Sequence, residues 1–122
     1  MATGQVGGMS GDLFMDYNRI YFVGIGGIGM SALAQLLAHH GKHVSGSDRE
    51  ESPVVSMLAK KGIAVAVGHD QCNIPDDCEI LIYSDAVPAD NVERVRAREM
   101  SIPEMSYFEA LGEFANQYEL VA

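Results

Sequence analysis

Gly24, Gly26 and Gly29 stand in G-x-G-x-x-G spacing inside the stretch YFVGIGGIGMSALAQLL, which packs four glycines into six residues. The chemistry open to such a loop is the holding of a pyrophosphate by main-chain groups. Gly24 permits a tight turn, Gly26 lets phosphate approach the backbone, and Gly29 lets helix and strand pack closely. Gly27 widens the approach further. The helix that opens at Ile28 presents unpaired N–H groups and the positive end of its dipole. The Met30 side chain reads as packing, while its N–H belongs to this anion site. Asp48 follows nineteen residues after Gly29, at the end of the next strand-like run, where an acid accepts hydrogen bonds from ribose hydroxyls. The glycine spacing alone also describes a tight strand–helix turn with no ligand. Strand, loop, helix, strand and acid in this order favour a nucleotide. NAD and UDP both carry a pyrophosphate and a ribose, and the motif does not choose between them.

The elements that must position this loop alternate along the chain. RIYFVG is a short apolar strand, and IGMSALAQLLAHHG is a helix with Leu33, Leu36 and Leu37 as its apolar residues and Gly41 after its end. KHVSGSD reads as a second strand. SPVVSMLAKKG has Ser52 as N-cap, Pro53 at the first helical position, Lys60 and Lys61 in the last turn, and Gly62 as its stop. IAVAVG is a third strand and Ile80 to Tyr83 a fourth. NVERVRARE is a short helix with Val92 and Val95 turned inward. SIPEM is a brief fifth strand. SYFEALGEFANQ opens on a capping box of Ser106 and Glu109. Strands alternating with helices predict an α/β, Rossmann-like, doubly wound fold: a mostly parallel sheet with helices on both faces.

The 122 residues suit one domain, with 48% hydrophobic and 20% charged residues. Residues 1–14 are rich in Gly, Ser and Thr and read as disordered or as a remnant of cloning. Residues 15–117 make the nucleotide-binding domain. Residues 118–122 read as the start of a strand leading to a further domain. A formal net charge of −9 excludes a non-specific nucleic-acid surface, which needs clustered Lys and Arg. It does not exclude a phosphorylated small molecule, because backbone N–H groups hold phosphate without net positive charge. No run approaches the ~20 apolar residues of a membrane span, and no basic start precedes an apolar block, so a cytoplasmic location is expected. Cys72 and Cys78 are too few for a disulfide framework, and their separation by five residues is unlike zinc spacings. They read as free thiols, and no metal is expected. His39, His40 and His43 flank a helix C-terminus, where imidazolium suits the dipole.

Ser84 follows the fourth strand, the place where ligands meet open α/β sheets. It reads equally as a turn residue capping Asp85 or Ala86. His69 lies in a polar loop after the third strand, with no role fixed by its position.

The segments FVGIGGIGMSALAQLLAHHGKHVSGSD, GHDQCNIP and SDAVPADN resemble, in this order and spacing, the N-terminal domain of the ATP-dependent Mur ligases of bacterial cell-wall synthesis. The resemblance runs from about Arg19 to Ala122. It implies a domain that binds the UDP part of UDP-N-acetylmuramate. ATP, Mg2+ and L-alanine are held by central and C-terminal domains, where the muramoyl carboxylate becomes an acyl phosphate that the amine of L-alanine attacks. The sequence contains no G-x-x-x-x-G-K-[ST], so the fragment alone is expected to be inactive, with no catalytic residue of its own. By resemblance, Gly24, Gly26, Gly27, Ile28, Gly29, Met30 and Ser31 cradle the pyrophosphate and Asp48 binds the ribose. His69 meets the phosphate or sugar, and Ser84, Asp85 and Ala86 form a loop at the nucleotide. Many relatives carry serine at the position of Asp85, so a backbone contact is the safer expectation there. Alternatives are the ligase that adds a tripeptide to the same nucleotide, an NAD-binding redox or regulatory module, and a nucleotide-free interaction domain. The tripeptide ligases usually depart from GIGGIGM.

Overall fold

In the computed structural model, which describes residues 17–118, five strands form one parallel sheet. The strands are β1 (Arg19–Val23), β2 (His43–Asp48), β3 (Ala64–Val67), β4 (Ile80–Tyr83) and β5 (Glu104–Ser106). Their order across the sheet is β3-β2-β1-β4-β5, and every pairing is parallel. The helices are α1 (Ile28–His39), α2 (Pro53–Lys60), α3 (Val92–Glu99) and α4 (Tyr107–Tyr118), with one 3-10 turn at Gln71–Asn73. The chain winds outward from β1 to β3, then returns to β4 on the other side of β1. The strand order therefore reverses between β1 and β4, and a crevice opens there at the carboxyl ends of the strands.

The apolar residues of β1 split between two faces because side chains alternate along a strand. Ile20 and Phe22 pack with Leu33 and Leu37 of α1, Leu58 of α2 and Phe114 of α4. Tyr21 and Val23 face the opposite way, against Ala97 of α3, Ile74 and Ile102. One face thus carries three helices. The other carries α3 and the 3-10 turn. A central strand buried on both sides needs an unbroken apolar run, and Ile20 to Val23 provides it.

The helix ends follow their local chemistry. Ser52 Oγ accepts from Val55 N at 3.1 Å, with Pro53 next to it. Ser106 and Glu109 form the reciprocal capping box: Ser106 N donates to Glu109 Oε1 at 2.9 Å, and Glu109 N donates to Ser106 Oγ at 3.2 Å. Two expectations change. Leu36 is 40% exposed and lies outside the core. In α3 the inward residues are Glu93 and Ala97, while Val92 is half exposed. The helix turns a buried hydrogen-bonding residue inward in place of a valine. Residues 119–122, where the sequence suggests a further strand, and residues 1–14 lie outside the described residues; α4 itself runs through Tyr118.

Cys78 is buried, and burial pushes its thiol up to about 11, while Cys72 is exposed. Among the described residues no helix is long and apolar enough to cross a membrane.

Candidate functional site

The loop after β1 is pinned to the end of β2. Gly24 N and Ile25 N both donate to the Ser47 carbonyl, at 2.9 and 3.0 Å, and Gly27 N closes a turn onto Gly24 O at 3.3 Å. Gly24 has φ +85°, a left-handed conformation that suits glycine. A Cβ on Gly24 would also lie 3.1 Å from Ser84 Cβ. The first and fourth strands therefore end against each other at the switch point.

Gly26 also has a close neighbour within the protein. Its N–H donates to Asp48 Oδ2 at 2.7 Å, and a Cβ there would lie 2.7 Å from the same oxygen. The glycine makes room for a carboxylate of the protein. Asp48, the last residue of β2, also accepts from Glu50 N at 3.3 Å through Oδ1 and faces the cleft. Gly29 lets α1 meet a helix and not a strand: a Cβ would lie 2.5 Å from the Tyr107 hydroxyl at the start of α4.

Helix α1 starts after Gly27, which supplies no side-chain cap. The amides of Ile28, Gly29 and Met30 occupy the first-turn positions that have no intrahelical acceptor. An anion placed there gains those donors and the dipole end. Ser31 N is already spent on Gly27 O at 2.8 Å, and Ser31 Oγ donates to Ile28 O. The side chains of Met30 and Ser31 are buried, and that of Ile28 is exposed.

After β4, Ser84 Oγ accepts from Ala86 N at 3.2 Å, and Val87 N donates to Ser84 O. The turn-capping reading of Ser84 is therefore realised, and Ser84 also lines the cleft. Arg94 braces this turn from behind. It donates to Val87 O, pairs with Glu104 at 2.7 Å and lies 3.5 Å over the Tyr83 ring.

The result is one open cleft of about 530 Å³ at the carboxyl ends of β1, β2 and β4. That size lies within the range of small-molecule sites. Gly24, Gly26, Gly27, Asp48, His69, Ser84 and Ala86 all line it. Gly29, Met30, Ser31 and Asp85 do not, and neither does the side chain of Ile28; Asp85 points to solvent. Sequence reasoning missed Asn91, Arg49 and Ser52 in the lining. Asn91 is legible as a helix N-cap, and its Oδ1 accepts from Glu93 N and Arg94 N. Arg49 brings a cation beside Asp48, Glu50 and Glu51.

His69 stands at the cleft wall, its side chain 17% exposed. Its Nδ1 lies 2.9 Å from Ser47 Oγ and 3.5 Å from Glu93 Oε1. Glu93 is fully buried, and nothing in the sequence marks it. Burial pushes the Tyr21 phenol far above its usual range, and the nearby Glu93 carboxylate adds to this, so Tyr21 stays a hydrogen-bond donor.

A second cleft, about 370 Å³, opens at the opposite ends of the strands. Two of its cations are already engaged: Arg19 pairs with Asp77 at 3.2 Å, and Lys42 Nζ donates to Tyr17 O at 2.8 Å. Ligands of open α/β sheets gather at the carboxyl ends, which favours the glycine-loop cleft.

Comparison with known proteins yields a consistent set. A family model described as "Mur ligase family, catalytic domain" matches residues 19–119. A UDP-N-acetylmuramate–L-alanine ligase of Alkaliphilus metalliredigens is 43% identical over 101 residues, 83% of this chain and 22% of that protein. The corresponding ligase of Caldicellulosiruptor saccharolyticus is 43% identical over 104 residues, 85% of this chain and 23% of that protein. The chain thus spans under a quarter of the length of these relatives. Among solved structures, the UDP-N-acetylmuramate–alanine ligase of Thermotoga maritima superposes with a TM-score of 0.79 at 38% identity, over 81% of this chain and 23% of that one. A UDP-N-acetylmuramate:L-alanyl-gamma-D-glutamyl-meso-diaminopimelate ligase from Neisseria, 24% identical with a TM-score of 0.72, shares the fold.

Proposed function

Because the chain belongs to the Mur ligase family, we propose that it is the UDP-sugar-holding part of a UDP-N-acetylmuramate–L-alanine ligase. The observation that supports this best is convergence. Residues from four separate segments, Gly24, Gly26 and Gly27, then Asp48, then His69, then Ser84 and Ala86, line one cleft at the topological switch point. In this reading the pyrophosphate rests on the first-turn amides of α1, at Ile28, Gly29 and Met30. The Asp48 carboxylate accepts from the ribose. His69 faces the phosphate or sugar, and the turn of Ser84, Asp85 and Ala86 meets the nucleotide through its backbone. The full-length ligase would act in the cytoplasm, using ATP and Mg2+ to convert the muramoyl carboxylate to an acyl phosphate for attack by L-alanine. The present sequence has no G-x-x-x-x-G-K-[ST] loop. In this reading ATP, Mg2+ and L-alanine are held by other parts of the ligase, and this chain's share of the work is binding and orientation.

Calorimetric titration tests the reading. UDP-N-acetylmuramate and UDP are expected to bind, with NADH and ATP far weaker. A preference for NADH over UDP would replace the ligase reading with a redox or regulatory module.

Asp48 gives a finer test, because the acid has a second job holding the Gly26 amide. Asp48→Ala is expected to weaken UDP by about 1.5–3 kcal/mol, the range for hydrogen bonds to a charged group. It should weaken 2′,3′-dideoxy-UDP much less, since that analogue has no ribose hydroxyls to lose. Equal losses for the two ligands would mean that Asp48 acts only by holding the loop.

A further inference from the structure

A buried hydrogen-bond network stands behind the cleft wall at His69. Glu93 sits at its centre, 0% exposed. Its Oε2 accepts from the Tyr21 hydroxyl at 3.0 Å, Asp70 N at 3.1 Å and Asn73 Nδ2 at 2.8 Å. Its Oε1 accepts from Ser47 Oγ at 2.5 Å. Every neighbour supplies a proton, so the carboxylate accepts from all of them. A serine hydroxyl carries one proton. That of Ser47 is committed to Glu93, so Ser47 Oγ has only lone pairs to offer His69 Nδ1 at 2.9 Å. Nδ1 must then be the protonated nitrogen. The other ring nitrogen, Nε2, lies on the opposite edge of the imidazole from Nδ1, and His69 lines the cleft.

We propose that Glu93 is a positioning residue which, through Ser47, holds His69 as the Nδ1–H tautomer with the Nε2 lone pair turned to the cleft. A neutral His69 then accepts a hydrogen bond from a ligand hydroxyl. The matching chemistry is a ribose or sugar hydroxyl of a sugar nucleotide, a refinement that rests on the ligand reading above. The network spans β1, β2, the segment after β3 and α3, so the tautomer is held by the fold and does not depend on the ligand.

The test is long-range 1H–15N correlation of the histidine rings in the ligand-free 15N-labelled protein, recorded in alkaline buffer so that the rings are neutral. His69→Gln identifies its signals among the four histidines. The expected spectrum has a protonated, pyrrole-type Nδ1 and an unprotonated, pyridine-type Nε2. Glu93→Gln keeps the shape but lets an amide N–H donate to Ser47, which frees the serine proton for Nδ1. The Nε2–H form should then become the major tautomer, and UDP-N-acetylmuramate should bind at least ~5-fold more weakly. Ser47→Ala should retain Nδ1–H, because Nδ1 can donate directly to Glu93. An Nε2–H tautomer in the parent protein would overturn the proposal, since the chain of donors would then run outward from a protonated Glu93. An unchanged tautomer in a folded Glu93→Gln variant would overturn it as well. If the parent shows Nδ1–H and the ligand leaves the Nε2 signal in place, the tautomer assignment stands and the reading of His69 as a ligand contact falls.

Discussion

Gly26→Val is expected to fold and to lose at least a hundredfold in UDP affinity, ~2.7 kcal/mol. The reason is steric. A Cβ at Gly26 lies 2.7 Å from Asp48 Oδ2 and 3.2 Å from Val55 Cγ2, and the two methyl groups of valine add to the crowding. The Asp48 side chain can swing aside, so the sheet survives. The swing breaks the 2.7 Å bond from Gly26 N, moves the acid from its place at the end of β2, and sets an apolar branch where the ligand should lie. Far-UV circular dichroism and a denaturant titration report the fold; calorimetry with UDP reports the site. A folded variant that binds UDP as tightly as the parent would place the phosphate cradle elsewhere.

The largest loss of stability is expected from a smaller change, Gly46→Ala, at a cost of about 3 kcal/mol or more. Gly46 lies in the middle of β2, paired in register with Phe22 of β1. A Cβ there would stand 2.4 Å from the Phe22 carbonyl oxygen and 3.0 Å from Ile25 Cδ1. The first of these is backbone in the central strand, which cannot rotate away. The two strands must separate, and the separation strains the ladder that also sets Ser47 and Asp48. Small domains are stable by only about 5–15 kcal/mol, so the shift should be evident in the urea midpoint. An alanine variant with the parent's midpoint would mean that the strands have slack at this position.

What the sequence alone determines here is whatever depends on near neighbours. Caps, stops and turn residues act within a few positions, so Ser52, Pro53, the Ser106 and Glu109 box and the Gly24 turn are legible as they stand. The alternation of strands with helices carries the fold class for the same reason, and it brings the glycine loop and Asp48 to one end of the sheet. Distance along the chain is where legibility ends. Glu93 meets Ser47 across 46 positions and Tyr21 across 72, and no local pattern relates them. The same blindness puts Val92 inside α3 by its hydrophobicity, when the helix in fact turns Glu93 inward to donors that other strands and loops bring to it. Gly29 reads as room for a strand because its usual partner is one, and the structure fills that room with Tyr107, seventy-eight positions on. Gly46 resembles an ordinary weak point in a strand until the sheet order sets it against Phe22. The residue types of the candidate site were present in the sequence. Which of them share a cleft, and which groups stand behind His69, was decided by the order β3-β2-β1-β4-β5, because only that order brings the end of β2, the segment after β3 and the start of α3 together behind the glycine loop.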